Sequence, residues 1–598
     1  MSLFLSAFLA FATTDDASLS PAPAPAPALA PATPAKPRIS RDAVRNAPAD
    51  ALTRRIYLDL FNRLPNNAEF DNGVQLIDNG NYSQLVDIMM KSQEFQLNLA
   101  SKVVKHYAPP LNFRNHDLID YKRLETHIKD NYLKPGKDFR VFLEDMLKAR
   151  GVAIYNPMVL FYSDKETPSV ITSRFTERVM GVPMGCAECH DHRIHPDIKI
   201  TDFWSLAAFY QGFEKSYIIN EAMLEGLASK LEEKNKDGKN KIYDQLGQDE
   251  YKRILAWIDA ERKGKSIYDE LSETSKLGVD PTNMISSLAD AEKKKMMLED
   301  VPTLLAPQLY LYEDKKRLNA MEISYPVKGV PHTAKARLFR EERGIAETKT
   351  PRDVLAKWMA NRQGKYVSRA VANWVGNWLL GRALALPVND VYDMKNASPQ
   401  LVGFAEILEK EKWDINDLVR SIVLSPAYRL PSATENDEEK FMTFKTRRLR
   451  HLSGEQLVNS LNGAYLSRLR SDGSVSAMRQ LYLAEVDRNE TVQALFPAAL
   501  NDTEANYRGA LNQSLFLSSN QRMLEFTHKL AQAGYKAHQE QSHEIWLDSL
   551  FVRLFSRHCS PQELAFFDAK LDASKSYDQS GFFETVWTLI NSPEMRLY

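Results

Sequence analysis

The chemistry in this chain is concentrated in Gly185-Cys186-Ala187-Glu188-Cys189-His190-Asp191-His192-Arg193-Ile194-His195-Pro196-Asp197. Two of its three cysteines and three of its twelve histidines fall between Cys186 and His195. Cys186-x-x-Cys189-His190 has the spacing of a c-type haem attachment site. Each thiol can form a thioether to a porphyrin vinyl group, and the adjacent His190 imidazole then serves the iron as axial ligand. Two other readings stand beside it. Thiolate and imidazole also suit zinc or another transition metal, with His190, His192, His195 and Asp197 adding ligands or acid–base groups to Cys186 and Cys189. The third is a local disulfide or buried thiol pair, its histidines only capping and hydrogen-bonding.

Two elements must position this stretch. Thr172–Met180 reads as the helix that delivers the chain to the cysteines. Thr201–Tyr210 follows as an aromatic helix that Thr201 or Asp202 is placed to cap. Its Phe203, Trp204, Phe209 and Tyr210 have two readings, as one wall of a haem pocket or as ordinary core. His332, in Gly329-Val330-Pro331-His332, is a conceivable distal ligand and equally an exposed loop residue.

The 598 residues are 44% hydrophobic and 26% charged, with a net charge of -1, so no basic surface for nucleic acid is indicated. Helix formers dominate, and the expected fold class is mainly α, in two helical domains with a charged helical insertion and little β. Residues 1–12 form a short apolar run ending Ala10-Phe11-Ala12, which reads as a signal peptide and implies a periplasmic or extracellular location. Residues 13–41 hold the Pro/Ala-rich linker, extended and without a core. An N-terminal helical domain is expected over 42–215, a charged insertion with short strands over 216–348, and a C-terminal helical domain over 349–598. No stretch after the signal is long and apolar enough to be a transmembrane helix. Short strands are expected at Leu309–Tyr312 and Ile323–Val327.

A three-helix unit near residues 51–95 recurs at the C-terminus. Leu550–Arg557 matches the Leu60-Phe61-Asn62-Arg63 helix, Ser560-Pro561 opens a second helix, and Phe582–Ile590 leads into Asn591-Ser592-Pro593-Glu594. A fragment recurs at Ile415–Leu424 with Ser425-Pro426-Ala427-Tyr428. Arg63 and Arg557 are expected to hold carbonyls or carboxylates at helix ends. Cys559 is expected to be a core cysteine rather than a nucleophile. No nucleophile elbow, phosphate-binding glycine loop or His-Glu-x-x-His motif is present.

Together these stretches resemble the planctomycete cytochrome-like proteins, which carry two paired uncharacterised domains. The resemblance rests on Arg55–Leu60 with Leu64-Pro65, on Cys186–His192 and on Phe203–Phe209 in the first domain. In the second it rests on Leu355–Trp358, Arg369–Gly381, Ser398-Pro399, Leu424–Tyr428, Arg447-Arg448-Leu449 and Trp587–Glu594. Where the family has Asn-Arg-x-Trp and Ser-His-Pro, this chain has Asn373-Trp374-Val375-Gly376 and Ser398-Pro399, so no role tied to that arginine or histidine is carried over. The resemblance implies an exported, haem-linked protein.

The leading expectation is therefore an extracytoplasmic electron-transfer protein with one haem c on Cys186 and Cys189 and His190 as axial ligand. Its redox partner and its sixth ligand, a Met or His of the second domain included, are left open by the sequence. His192 and His195 are expected to support His190 rather than to reach the opposite haem face. The alternatives are a zinc-type hydrolase or binding protein and a non-catalytic surface scaffold that assembles with partners.

Overall fold

The computed structural model describes residues 46–108, 121–153, 156–163, 167–218, 308–313, 321–341, 345, 350–433, 445–466, 511–540, 542–572 and 581–598. The expected signal peptide, the linker and the charged runs near 231–241 and 292–295 lie outside them. Of the described chain 66% is helical and 7% strand, which makes the protein mainly α.

Helices α1 (Ala49–Phe61), α2 (Asn67–Asp78), α3 (Tyr82–Met90) and α4 (Gln93–Tyr107) open the chain. They are followed by α5 (Tyr121–Tyr132), α6 (Phe139–Lys148), the short strand β1 (Gly151–Val152), α7 (Pro168–Arg174) and α8 (Ile200–Ala207). Strands β2 (Phe213–Ile218), β3 (Gln308–Glu313), β4 (Glu322–Val327) and β5 (Val330–Lys335) come next. Then follow α9 (Pro351–Arg362), α10 (Gly364–Leu380), α11 (Pro399–Lys410), α12 (Ile415–Leu424), α13 (Pro426–Arg429), β6 (Ser432–Ala433) and β7 (Arg447–Arg448). The chain closes with α14 (Gly454–Leu466), α15 (Leu511–Ser519), α16 (Gln521–Glu540), α17 (His543–Phe555), α18 (Pro561–Asp572), α19 (Gly581–Asn591) and α20 (Pro593–Arg596).

The two expected strands are β3 and β4. The sequence did not mark their partners: β3 pairs antiparallel with β2 at the register Lys215↔Leu311 and with β1 on its other edge. Strands β4 and β5 form a hairpin whose turn residues Lys328 and Gly329 both have positive φ, 50° and 82°, as a two-residue turn of right-handed twist requires.

One apolar core runs from Ala47 through Tyr428, taking in α1, α3 to α12 and the strands between. A second is built by α14 to α20 together with Leu58 and Leu64, so α1 contributes to both. Helix α1 is buried from Leu52 to Leu60, and Thr53, Arg54, Arg55 and Asp59 in that stretch all find partners. Arg54 donates to the carbonyls of Leu554, Glu594 and Leu597, while Arg55 donates to those of Tyr428 and Leu430. Asp59, 1% exposed, accepts from Arg450 (3.1 Å), Tyr598 (3.1 Å) and Tyr428 (2.9 Å).

The internal repeat is reproduced bond for bond. Arg63 grips Glu69 with both terminal nitrogens (2.7 and 2.8 Å) and Glu94 through Nε and Nη2 (2.6 and 3.0 Å). Arg557 grips Glu563 (2.8 and 2.7 Å) and Glu594 (2.6 and 2.8 Å) in the same way. The residue before each arginine, Asn62 or Ser556, ends its helix in the left-handed conformation. The guanidinium lies over Tyr57 and Phe61 in one copy and over Phe551 and Phe555 in the other. Bidentate geometry explains why an arginine stands at both positions.

Candidate functional site

Helix α7 delivers the chain to the cysteines, as expected, but its last turn widens into a π-helix over Phe175–Val179. Gly181 then turns at φ 62°, where a Cβ would sit 2.5 Å from Val391, and its carbonyl accepts from the Val391 amide at 2.8 Å. Gly185 passes so close to α7 that a Cβ would meet Ser173 Oγ at 2.7 Å and Glu177 Oε1 at 3.1 Å. Burial pushes the Glu177 carboxyl above its ordinary range, opposed by the hydrogen bond from Ser173. Glycine at both positions lets the chain reach the cysteines without displacing α7 or Val391.

Cys186 lies on a one-turn 3-10 helix, Gly185–Glu188, and Cys189 directly follows it. Both thiols are free and exposed, as is His190. His190 Nδ1 lies 2.8 Å from the Asp191 carbonyl. Only a protonated Nδ1 can bond a carbonyl there, so Nε2 carries the lone pair. The Asp191 carboxylate accepts from the Ile200 amide (3.0 Å) and pairs with Lys199 (3.0 Å), which hold it below the usual carboxylate range.

The other two histidines are buried and face inward. His192 Nδ1 accepts from the amides of Ile194 (3.2 Å) and His195 (2.9 Å). Burial, with His195 alongside, lowers the pKa of His192 and favours its neutral form. His195, stacked 4.9 Å from His192, bonds Asp390 Oδ2 at 2.9 Å. Asp197 is exposed and bonds both Arg340 and Tyr392; the Tyr392 hydroxyl is the main cause of its lowered pKa.

The sequence-predicted residues thus separate. Cys186, Cys189 and His190 share the exposed turn, whereas His195 and Asp197 fasten the loop to other segments and His192 braces it from within. Among the described residues no group of three or more His, Cys, Asp or Glu side chains is gathered where it could hold one metal ion. The chemistry of the outward triad, two thiols and an open imidazole nitrogen, fits covalent haem.

Sequence reasoning missed the residues that hold the loop. Asp390 and Tyr392 stand on a segment after α10, whose Asn373 accepts from the amides of Leu384 and Ala385 and donates to the carbonyls of Ala385 and Val388. On the other side, Trp204 Nε1 donates to the Glu188 carbonyl at 2.9 Å. Phe203, Phe209 and Tyr210 are fully buried core, while Trp204 is bonded to the motif. The cap of α8 also differs from expectation: Lys199 is the N-cap residue, and Asp202 reaches back to its amide at 2.9 Å. Cys559 packs partly buried against the second core, and burial raises its thiol pKa to about 11, as suits a structural cysteine.

Two family models match the chain. The one named PSCyt2, a protein of unknown function (DUF1549), matches residues 160–215, which contain the Cys-x-x-Cys-His turn. The one named PSD1, a protein of unknown function (DUF1553), matches residues 351–571, which contain Asn373, Asp390 and Tyr392. No curated protein and no solved structure matches. No described helix is long and apolar enough to cross a membrane.

Proposed function

We propose that this chain is an exported redox protein carrying one c-type haem on Cys186 and Cys189, with His190 as axial ligand. The observation that carries the reading is the His190 hydrogen bond to the Asp191 carbonyl, 2.8 Å long, beside two free exposed thiols. It fixes the tautomer in which Nε2 is a ligand, the usual device for orienting a metal-bound histidine. The haem, when bound, supplies a one-electron iron couple.

The chain's own residues supply the mounting. The Ile200 amide and Lys199 hold Asp191, and Asp191 holds His190. His192 braces the loop by accepting from two of its amides, and Trp204 holds the Glu188 carbonyl between the cysteines. His192 and His195 already have partners, so neither turns outward without breaking a buried bond. The sixth position is left to another residue or to a small ligand.

The test is the absorbance spectrum of the protein made in a host with c-type haem maturation, before and after denaturation. A Soret band that remains with the denatured polypeptide supports the reading. A colourless protein refutes it, and metal analysis of the same sample then separates a zinc site from a scaffold without metal.

A further inference from the structure

Three aromatic rings run from the cysteine turn to the surface. Trp204 donates from Nε1 to the Glu188 carbonyl at 2.9 Å, inside the Cys-x-x-Cys turn itself. Its indole stacks on Tyr325 of β4, with centroids 4.9 Å apart and planes 9° from parallel. Tyr325 stacks in turn on His332 of β5, at 5.9 Å and 30°. Trp204 and Tyr325 are buried, 9% and 4% exposed, whereas His332 is exposed. The hairpin register sets this order, since Tyr325 and His332 are directly opposed across the two strands.

We infer that the Trp204–Tyr325–His332 stack is the route by which an electron passes between the haem and a one-electron metal acceptor at the surface beside His332. The inference rests on the haem reading above. One electron leaves iron(II), which becomes iron(III), and the acceptor's oxidised metal gains it. The three rings gain and lose no electron or proton; they supply closely spaced π-systems that couple the two metals. The stack starts on a backbone atom of the haem-bearing turn, so it needs no additional mobile element.

The test uses the haem-loaded full chain with Cys559→Ser and Thr333→Cys, alkylated at residue 333 with a ruthenium tris-bipyridine photosensitiser. Flash excitation then reads electron transfer between label and iron. Tyr325→Phe, which keeps the ring, is expected to match the parent rate. Tyr325→Leu is expected to slow transfer severalfold, with the Soret band and helical content unchanged. Equal rates in the Leu and Phe variants overturn the route. A second reading needs no haem: in the haem-free chain the His332 ring protons should carry a ring-current shift that Tyr325→Leu removes, and absence of that shift in the parent overturns the stack itself. A colourless protein overturns the haem reading and the route together, whereas a coloured protein with equal rates overturns the route alone.

Discussion

Asp390→Asn tests whether the cysteine-bearing loop is held from the PSD1-matched segment. Asp390 Oδ2 accepts from His195 Nε2 at 2.9 Å, and its Oδ1 accepts from the Tyr392 amide at 3.1 Å. Asparagine keeps one oxygen for Tyr392 and places an NH2 group opposite the His195 N–H, so two donors face each other. Side-chain exposure is 5% for His195 and 12% for Asp390, so little water replaces the lost acceptor. A hydrogen bond to a charged group is worth about 1.5–3 kcal/mol, and an orphaned buried donor costs about 1–3 kcal/mol. These describe the same loss from two sides, and the expected effect is about 2 kcal/mol, or roughly thirtyfold in the opening equilibrium. The reading belongs where the loop opens. The His195 amide donates to His192 Nδ1 and the Ile198 amide to the His195 carbonyl at 2.8 Å, so hydrogen exchange at both should accelerate by about that factor. Exchange deep in α6 should not change. His195→Gln combined with Asp390→Asn restores a neutral donor–acceptor pair and should recover part of the protection. Unchanged exchange at His195 and Ile198 in Asp390→Asn would show that the His195–Asp390 bond does not hold the loop.

Three further outcomes are expected. Cys186→Ser with Cys189→Ser should abolish covalent haem absorbance while leaving thermal stability of the haem-free chain within about 0.5 kcal/mol, because both thiols are exposed and the loop's bonds run through other residues; collapse of the haem-free variant would refute that account of the loop. Arg557→Met should cost about 2–4 kcal/mol by denaturant titration, since it leaves Glu563 and Glu594 facing each other without their shared donor, and Arg63→Met should cost a similar amount through Glu69 and Glu94; a loss under about 0.5 kcal/mol in both would mean the grips are ornamental. Stability should fall with acid in two stages. His192, whose pKa burial depresses, is charged more readily in the unfolded chain, so its loss begins as pH falls below about 6.5. Glu563, held at about 2 chiefly by Arg557, and Glu455, pushed up by burial but pulled to about 2 by Lys105 and Lys102, contribute stability above about pH 4.5 that is lost on the way down to 2. Thermal melts from pH 7 to 3 check this, and Glu455→Gln should flatten the acid limb.

What the sequence disclosed follows from the range of the forces involved. Helix ends are set by local chemistry, and α12 falls at its expected bounds Ile415–Leu424, with Ser425 capping the turn that follows. The pairing of Arg63 with Arg557 was visible because a repeat copies its neighbours along with it. The cysteine turn was visible because its chemistry is contiguous. Its supports were not. His192 looks like a ligand in the string, and only the fold of its own loop turns Nδ1 toward two amides. Asp390 lies 195 residues from its partner His195, and Tyr325 reaches Trp204 only through a hairpin register, so no spacing rule could connect them. The strand pairing β2–β3 likewise joins segments some ninety residues apart.

The two adjacent arginines of α1 impose an order of events on the making of this protein. Arg54 leaves the ribosome early, yet the carbonyls it needs belong to Leu554, Glu594 and Leu597. Arg55 waits for Tyr428 and Leu430. Until residues near 430 are synthesised both guanidinium groups of α1 lack the acceptors that make their burial tolerable, and Arg54 lacks its own until residues near 597 follow. Helix α1 is thus among the last of the described elements to settle, and a chain stopped short of residue 597 has no stable place for it.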